Sequence, residues 1–167
     1  MFRLFRPGRD PGDATGATKW GGRWNSPGRA VLYTASSLSL ACLEILVHIR
    51  DVNAMPEFVY SSVSILDEWV GKLEPYGALM EDVQMSRRIG DSWLASRRVA
   101  TDFNISPQEA AKITASAVLQ VPSFVIQQEP NYLLDPADEN IQALAWSEPQ
   151  PFRFDPRLLD PTLRDYR

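Results

Sequence analysis

The sequence is poor in the residues that disulfides and metal sites require. Of its 167 residues, one is a cysteine and one is a histidine. The lone Cys42 excludes an intramolecular disulfide, and a single histidine, His48, excludes a zinc site built from cysteine and histidine. We therefore expect no bound metal, no prosthetic group and a reducing, cytoplasmic environment.

Long hydrophobic runs are absent as well. No apolar stretch approaches the roughly 20 residues that a membrane span needs. The N-terminus carries Arg3, Arg6 and Arg9 and lacks the apolar core of a signal peptide. The sequence therefore predicts neither membrane insertion nor secretion.

Basic charge is not in excess, because 17 basic and 21 acidic side chains give a net charge of −4. A protein of this charge is not expected to bind nucleic acid directly. The first 29 residues nevertheless contain six basic and two acidic side chains. Any site for an anionic ligand is therefore expected to involve the N-terminal third.

Several motifs of known chemistry are also missing. The sequence contains no phosphate-binding Walker loop, no G-x-G-x-x-G loop and no H-E-x-x-H motif, which counts against kinases, Rossmann enzymes and zinc proteases. No G-x-S-x-G elbow surrounds Ser123, and His48 is the only possible base, so a serine-hydrolase triad is poorly supported.

The length fits a single domain covering residues 1–167. A short strand is expected before a long glycine- and proline-rich loop over Pro7–Gly28, and a strand over Ala30–Thr34. Ser36 or Ser37 can cap a helix that runs to about Arg50 and is apolar on most of its surface, which predicts burial.

The rest of the chain predicts a mixture of strands and helices, hence an α+β fold. Ser106 and Pro107 form a capped helix start. The predicted elements are a strand within Glu57–Leu66, a helix around Ile89–Arg97, a helix from Ser106 to about Ala115, a strand over Ala117–Gln127 interrupted at Pro122, and short strands near Ile141–Trp146 and Phe152–Asp155.

Glu44 is the most unusual residue of the predicted Leu38–Arg50 helix. Its neighbours three and four positions away are mostly apolar. A carboxylate in such surroundings is costly unless it is paired, hydrogen-bonded or functional. It is therefore either a functional acid or a surface residue that pairs with His48, and the residues alone leave both interpretations open.

Four other residues have a functional and a simpler interpretation. Arg23 follows two glycines and could grip a phosphate or carboxylate, or it could lie exposed beside a tight turn. Tyr33 is more typical of a core or rim side chain than of a stacking surface. Ser123 could simply satisfy backbone groups, and Asn131 could simply belong to a turn.

Four segments, in this order, closely resemble the RES domain family. They are Arg6, GGRWNSPGRAVLYTASSLSLACLEILVHI over Gly21–Ile49, IGDSWL from Ile89, and VPS at Val121 with NYLLDP from Asn131. The resemblance covers nearly the whole chain. It implies a toxin of a bacterial type II toxin–antitoxin pair, neutralised by an Xre-type antitoxin, and it leaves open whether the toxin forms a homo-oligomer in that complex.

The resemblance also implies a fold like that of ADP-ribosyltransferases, with short mixed or antiparallel sheets and a few helices. NAD+ is then the substrate, cleaved by hydrolysis or phosphorolysis. Carried over to this sequence, the family's pattern implies Arg6 and Arg23 as cationic contacts, Tyr33 as an aromatic platform, Glu44 as the acid and Ser123 as a pocket hydroxyl. Asn131 would position the ligand or support the structure.

The sequence departs from the family in two places. Residues 99–116 are additional, which could alter the rim of the pocket or the antitoxin interface. Asp135 stands where the family more often has asparagine. Two other functions stay open, namely a mono-ADP-ribosyltransferase that modifies a host protein and a non-enzymatic module that binds an antitoxin or a nucleotide.

Overall fold

A seven-stranded mixed sheet forms the centre of the protein. The structure is a computed structural model and describes residues 1–49, 51, 54–73, 82–96 and 116–159. The strands are β1 Phe2–Phe5, β2 Leu32–Ala35, β3 Phe58–Ser62, β4 Val70–Lys72, β5 Val118–Pro122, β6 Pro130–Leu134 and β7 Gln150–Phe152. Their order is β4-β5-β6-β2-β1-β3-β7, and β4–β5 is the parallel pair while the other pairs are antiparallel.

Five short α-helices flank the sheet in the described ranges. They are α1 Thr15–Trp20, α2 Leu38–Leu46, α3 Val83–Ser96, α4 Glu139–Gln142 and α5 Pro156–Leu159, and a 3₁₀ turn spans Asp67–Trp69. The predicted α+β class is thereby confirmed.

The side chains of the central strands alternate between two cores. Leu119 and Leu133 point to one face, where they pack with Trp24 and the α3 residue Trp93. On the same face, Leu4 and Ala35 pack against α2. The opposite face carries Val118 and Leu134 with Ile141 of α4. Both helices that bear on the candidate site therefore cover one face of the sheet.

Helix α2 begins as its sequence predicts. The Ser37 side chain accepts a hydrogen bond from the backbone N–H of Leu40 at 3.1 Å and so caps the helix. The helix ends at Leu46 rather than near Arg50, which lies outside the described residues. Its predicted burial holds only in part, because Leu40 and Ala41 are buried whereas most of the remaining helix is partly exposed.

Several predicted elements differ from the observed ones. The expected strand at Ile141–Trp146 is wrong, because Asp138 accepts a hydrogen bond from Asn140 N and caps a helical turn there. The loop predicted over Pro7–Gly28 contains helix α1. Helix α3 begins six residues before Ile89, and the last strand lies at Gln150–Phe152 instead of Phe152–Asp155. The predicted helix from Ser106 lies outside the described residues, as does most of the additional segment 99–116.

Candidate functional site

The carboxylate of Glu44 is held by two side chains from distant parts of the chain. Ser123 Oγ donates a hydrogen bond to Glu44 Oε1 at 2.8 Å, and Asn131 Nδ2 donates to the same oxygen at 2.5 Å. Glu44 lies on helix α2, Ser123 directly follows β5, and Asn131 lies on β6. The structure thus brings together three of the predicted site residues, and the alternative pairing of Glu44 with His48 is not what it shows.

The two oxygens of Glu44 differ in their surroundings. Oε1 accepts both hydrogen bonds, whereas no hydrogen bond among the described residues reaches Oε2. A carboxylate oxygen can accept about two hydrogen bonds. Oε2 therefore keeps its full capacity for a ligand.

Ser123 is completely buried and its hydroxyl is fixed from three sides. Besides donating to Glu44, Oγ accepts hydrogen bonds from the backbone N–H groups of Val125 at 3.1 Å and Ile126 at 2.9 Å. The loop after β5 thus turns around this hydroxyl. Ser123 satisfies backbone groups, as its simpler interpretation holds, and at the same time orients Glu44.

Arg23 lies close to this cluster. Its guanidinium carbon is 3.4 Å from the centre of the Phe124 ring, the distance of a stacked cation–π contact. Desolvation lowers the pKa of Arg23, and the negative charge of Glu44 partly offsets that effect. A cation and a carboxylate therefore act on each other within one site.

Two polar atoms near Glu44 have no hydrogen-bond partner. Arg23 Nη1 and Asn131 Oδ1 are both buried and unpaired. Buried polar atoms in native proteins are nearly always paired, so an orphaned donor and an orphaned acceptor mark a place where a ligand or a bound water is expected. Both atoms belong to residues that the sequence predicts for the site.

Tyr33 holds the loop that carries Arg23. Its hydroxyl donates a hydrogen bond to Asn25 Oδ1 at 2.8 Å and accepts one from the backbone N–H of Trp24 at 3.1 Å. Burial raises the pKa of Tyr33 to about 12. The hydroxyl therefore fastens the loop, while Tyr33 as a whole is half-buried and packs against the core beside Trp24. Its predicted role as an aromatic platform stays a prediction.

Arg6 lies apart from the Glu44 cluster. It follows β1 by one residue and is exposed. At the other end of β1, Phe2 pairs with Ala35, which in turn pairs with Asn131. Arg6 is therefore at the opposite end of the strands from Asn131.

Sequence reasoning missed two residues of the site. Phe124 provides the surface on which Arg23 stacks, and the only local signal is an aromatic residue directly after Ser123. Asn25 is completely buried, and its Nδ2 donates to the carbonyl oxygens of Ala17 at 2.9 Å and Arg29 at 2.8 Å. The buried asparagine thus ties the loop together from within.

Other features of the described chain lie outside this site. An open groove of about 720 Å³ beside α1 is lined by none of the predicted site residues. Over the described ranges, no group of three or more histidine, cysteine, aspartate or glutamate residues is arranged to hold a metal ion. In the same ranges, every helix is too short or too polar to cross a bilayer.

A family model described as "RES domain" matches residues 1–155. The chain is 37% identical over 144 residues to "Toxin Res" of Yersinia enterocolitica, covering 86% of this chain and 87% of that protein. It is 29% identical over 152 residues to "Prs ADP-ribosylating toxin" of Sphingobium sp., covering 86% and 84%. It is 31% identical over 122 residues to "Toxin Res" of Photorhabdus laumondii, covering 73% and 70%.

A solved structure has a similar fold. The crystal structure of the M. tuberculosis MbcT–MbcA toxin–antitoxin complex contains a chain that superposes with a TM-score of 0.55 at 12% identity, covering 90% of this chain and 82% of that one. At this identity the similarity concerns the fold alone.

Proposed function

The chain belongs to the RES domain family, and on that premise we propose that it is the toxin of a toxin–antitoxin pair and cleaves NAD+ between ribose and nicotinamide. The observation that carries the proposal is the Glu44 carboxylate, which Ser123 and Asn131 hold through one oxygen while the other stays open. The neutralising partner is an antitoxin of the Xre type.

The chemistry of the bond explains why a carboxylate is needed. Breaking the ribose–nicotinamide bond develops positive charge on the sugar, as in glycoside hydrolysis. A fixed negative charge beside the sugar stabilises that charge, and Glu44 Oε2 can also accept a hydrogen bond from a ribose hydroxyl. Nicotinamide leaves as a neutral molecule, so the step requires no strong general acid.

The remaining site residues suit the rest of the dinucleotide. Arg23 presents a planar guanidinium, which binds phosphate oxygens better than an ammonium group does. Arg6, at the other end of the strands, supplies a second cation at a distance. The ring of Tyr33 is the candidate flat surface for nicotinamide, while the Phe124 ring supports Arg23.

A second candidate activity is ADP-ribosyl transfer to a host protein. It is favoured by one specific observation, the 29% identity to a relative named as an ADP-ribosylating toxin. The same carboxylate serves hydrolysis, phosphorolysis and transfer, because each begins with loss of nicotinamide. The three differ in whether water, phosphate or a protein side chain attacks the sugar.

The test is to incubate the purified, antitoxin-free protein and its Glu44→Gln variant with NAD+ and to measure nicotinamide release. Glutamine keeps an oxygen for Ser123 and Asn131 but removes the charge, so we expect release to fall by roughly a hundredfold or more. Glu57→Gln is the matched control, because it neutralises an exposed carboxylate directly before β3. It should release nicotinamide at the original rate.

The fate of the ADP-ribose moiety, followed with and without phosphate and with a cell extract, identifies the acceptor. Equal release by the original protein and by Glu44→Gln would contradict the proposal. Absence of release from folded protein under every condition would favour the non-enzymatic module that binds an antitoxin or a nucleotide.

A further inference from the structure

Arg23 lies on a loop whose neighbouring residues are all anchored. On one side, the Tyr33 hydroxyl binds Trp24 N and the Asn25 side chain. On the other side, α3 holds the loop at Gly22 and at Ser26. Within the segment 22–26, Arg23 is the residue whose side chain extends toward Phe124 and Glu44.

Two charged residues of α3 make the second set of anchors. Arg87 donates from Nε at 3.2 Å and from Nη2 at 3.0 Å to the carbonyl oxygen of Gly22. Asp91 accepts hydrogen bonds from Ser26 N at 2.8 Å and from Ser26 Oγ at 2.6 Å. Residues four apart lie on the same face of a helix, so one turn of α3 binds the loop at both ends, Gly22 and Ser26.

The close approach of α3 to the loop depends on Gly90, which lies between Arg87 and Asp91. A Cβ atom on Gly90 would lie 1.8 Å from the carbonyl oxygen of Trp24, so the helix backbone touches the loop directly. Hydrogen bonds with a charged partner are about twice as strong as neutral ones. Arg87 and Asp91 therefore hold the loop more firmly than neutral hydrogen bonds would.

We infer that Arg87 and Asp91 are positioning residues that hold the Arg23 loop and thereby set the affinity for the anionic part of NAD+. This inference rests on the proposed function. Neither residue touches the Glu44 cluster directly, so their loss should weaken substrate binding and leave the chemical step nearly unchanged. In kinetic terms, KM rises while kcat is retained.

The test is a direct NAD+ titration in the Glu44→Gln background, where the substrate is not consumed. We expect Arg87→Ala and Asp91→Ala to raise Kd about tenfold, the effect of losing one charge-assisted contact between Arg23 and a phosphate group. Arg88→Ala is the matched control, because Arg88 is the next residue of the same helix and is exposed. It should leave Kd unchanged.

Steady-state kinetics with Glu44 intact separate positioning from mere loss of folded protein. A smaller folded fraction lowers kcat and leaves KM unchanged, and that result for Arg87→Ala or Asp91→Ala would overturn the inference. If the α3 variants fail to fold, Ser26→Ala is the second test, because it removes the hydroxyl that donates to Asp91. In that case, an unchanged KM for Ser26→Ala would overturn the inference.

The two proposals fail in different ways. NAD+ binding by the Glu44→Gln parent, with Arg87→Ala and Arg88→Ala giving the same Kd, overturns the inference alone. No NAD+ binding by the folded Glu44→Gln parent, together with no nicotinamide release by the original protein, overturns the proposed function and, with it, the inference.

Discussion

At the scale of the single residue, the Ser123 hydroxyl has no hydrogen-bonding capacity left for a substrate. A hydroxyl offers one donor and two acceptor positions. In this structure the donor goes to Glu44 and the acceptor positions go to the backbone N–H groups of Val125 and Ile126. We therefore expect Ser123, predicted as a pocket hydroxyl, to act by orienting the Glu44 carboxylate.

Tyr33 gives a prediction about pH at the same scale. Burial raises its pKa from the ordinary value of about 10 to about 12, so its protonated form is stabilised in the folded state. That contribution is complete below pH 10 and is lost as the pH rises from about 10 to about 12. The difference between these two pKa values corresponds to about 2–3 kcal/mol of stability.

The measurement is the free energy of unfolding by urea at several pH values between 8 and about 12. Tyr33→Phe removes the titrating group, so we expect the difference in stability between the original protein and the variant to shrink across that window. A difference that stays constant with pH would show that Tyr33 does not titrate as its burial indicates.

At the scale of the helix and the strand, the sequence predicts an element's start or end best where one neighbouring residue sets it. The Ser37 cap follows from neighbouring residues and is confirmed. Strand β5 ends at Pro122, but the predicted continuation to Gln127 is wrong, because residues 123–127 form a loop. Helix α1 was missed because it has six residues, a glycine at position 16 and no side-chain cap. The mostly apolar run near Ile141 resembles a strand, but the Asp138 cap starts a helical turn there.

The site could be predicted only as far as residue types allow. Glu44 stands out because a carboxylate is unusual on an apolar helix, yet its partners Ser123 and Asn131 lie 79 and 87 residues away. Such pairings depend on the strand order β5-β6-β2, which no local pattern encodes. The resemblance to the RES family named these residues together, and the structure supplies the hydrogen bonds that join them.

Helix α3 provides a stability prediction at the element scale. Alanine normally favours a helix over glycine by about 1 kcal/mol. At Gly90, however, the added Cβ would meet the Trp24 carbonyl oxygen at 1.8 Å, so the helix or the loop must move. We expect Gly90→Ala to lower the free energy of unfolding by about 1–3 kcal/mol.

Chemical denaturation of Gly90→Ala beside Gly16→Ala checks this prediction. A Cβ on Gly16 of α1 would meet nothing within 4 Å, so the control should be neutral or slightly stabilising. Equal stability of the two variants would mean that α3 does not lie against the loop.

At the scale of the whole molecule, the site lies between two parts of the core on one face of the sheet. One part packs Trp24 and Trp93 of α3 with the strands, and the other packs Leu40 of α2 against them. Arg23 directly precedes Trp24 of the first part, and Glu44 lies on α2, the helix of the second part. A ligand that binds both residues would therefore join the two parts.

This arrangement predicts a gain in stability on ligand binding. With Glu44→Gln and NAD+ at 100 times its Kd, the folded state should gain about 2.7 kcal/mol. For a domain of this size that gain raises Tm by roughly 5–10 °C. Differential scanning calorimetry measures it, and an Arg23→Ala, Glu44→Gln double variant should show a much smaller rise at the same NAD+ concentration.

The distance along the chain between Glu44 and its partners also has a consequence for synthesis. A ribosome completes Glu44 long before it adds Ser123 and Asn131, and strand β6 must insert between β2 and β5 before the carboxylate is oriented. Domains fold largely as units during translation. A chain that stops before Ser123 therefore lacks both side chains that hold the Glu44 carboxylate, and we expect such a truncated product to have no assembled Glu44 cluster.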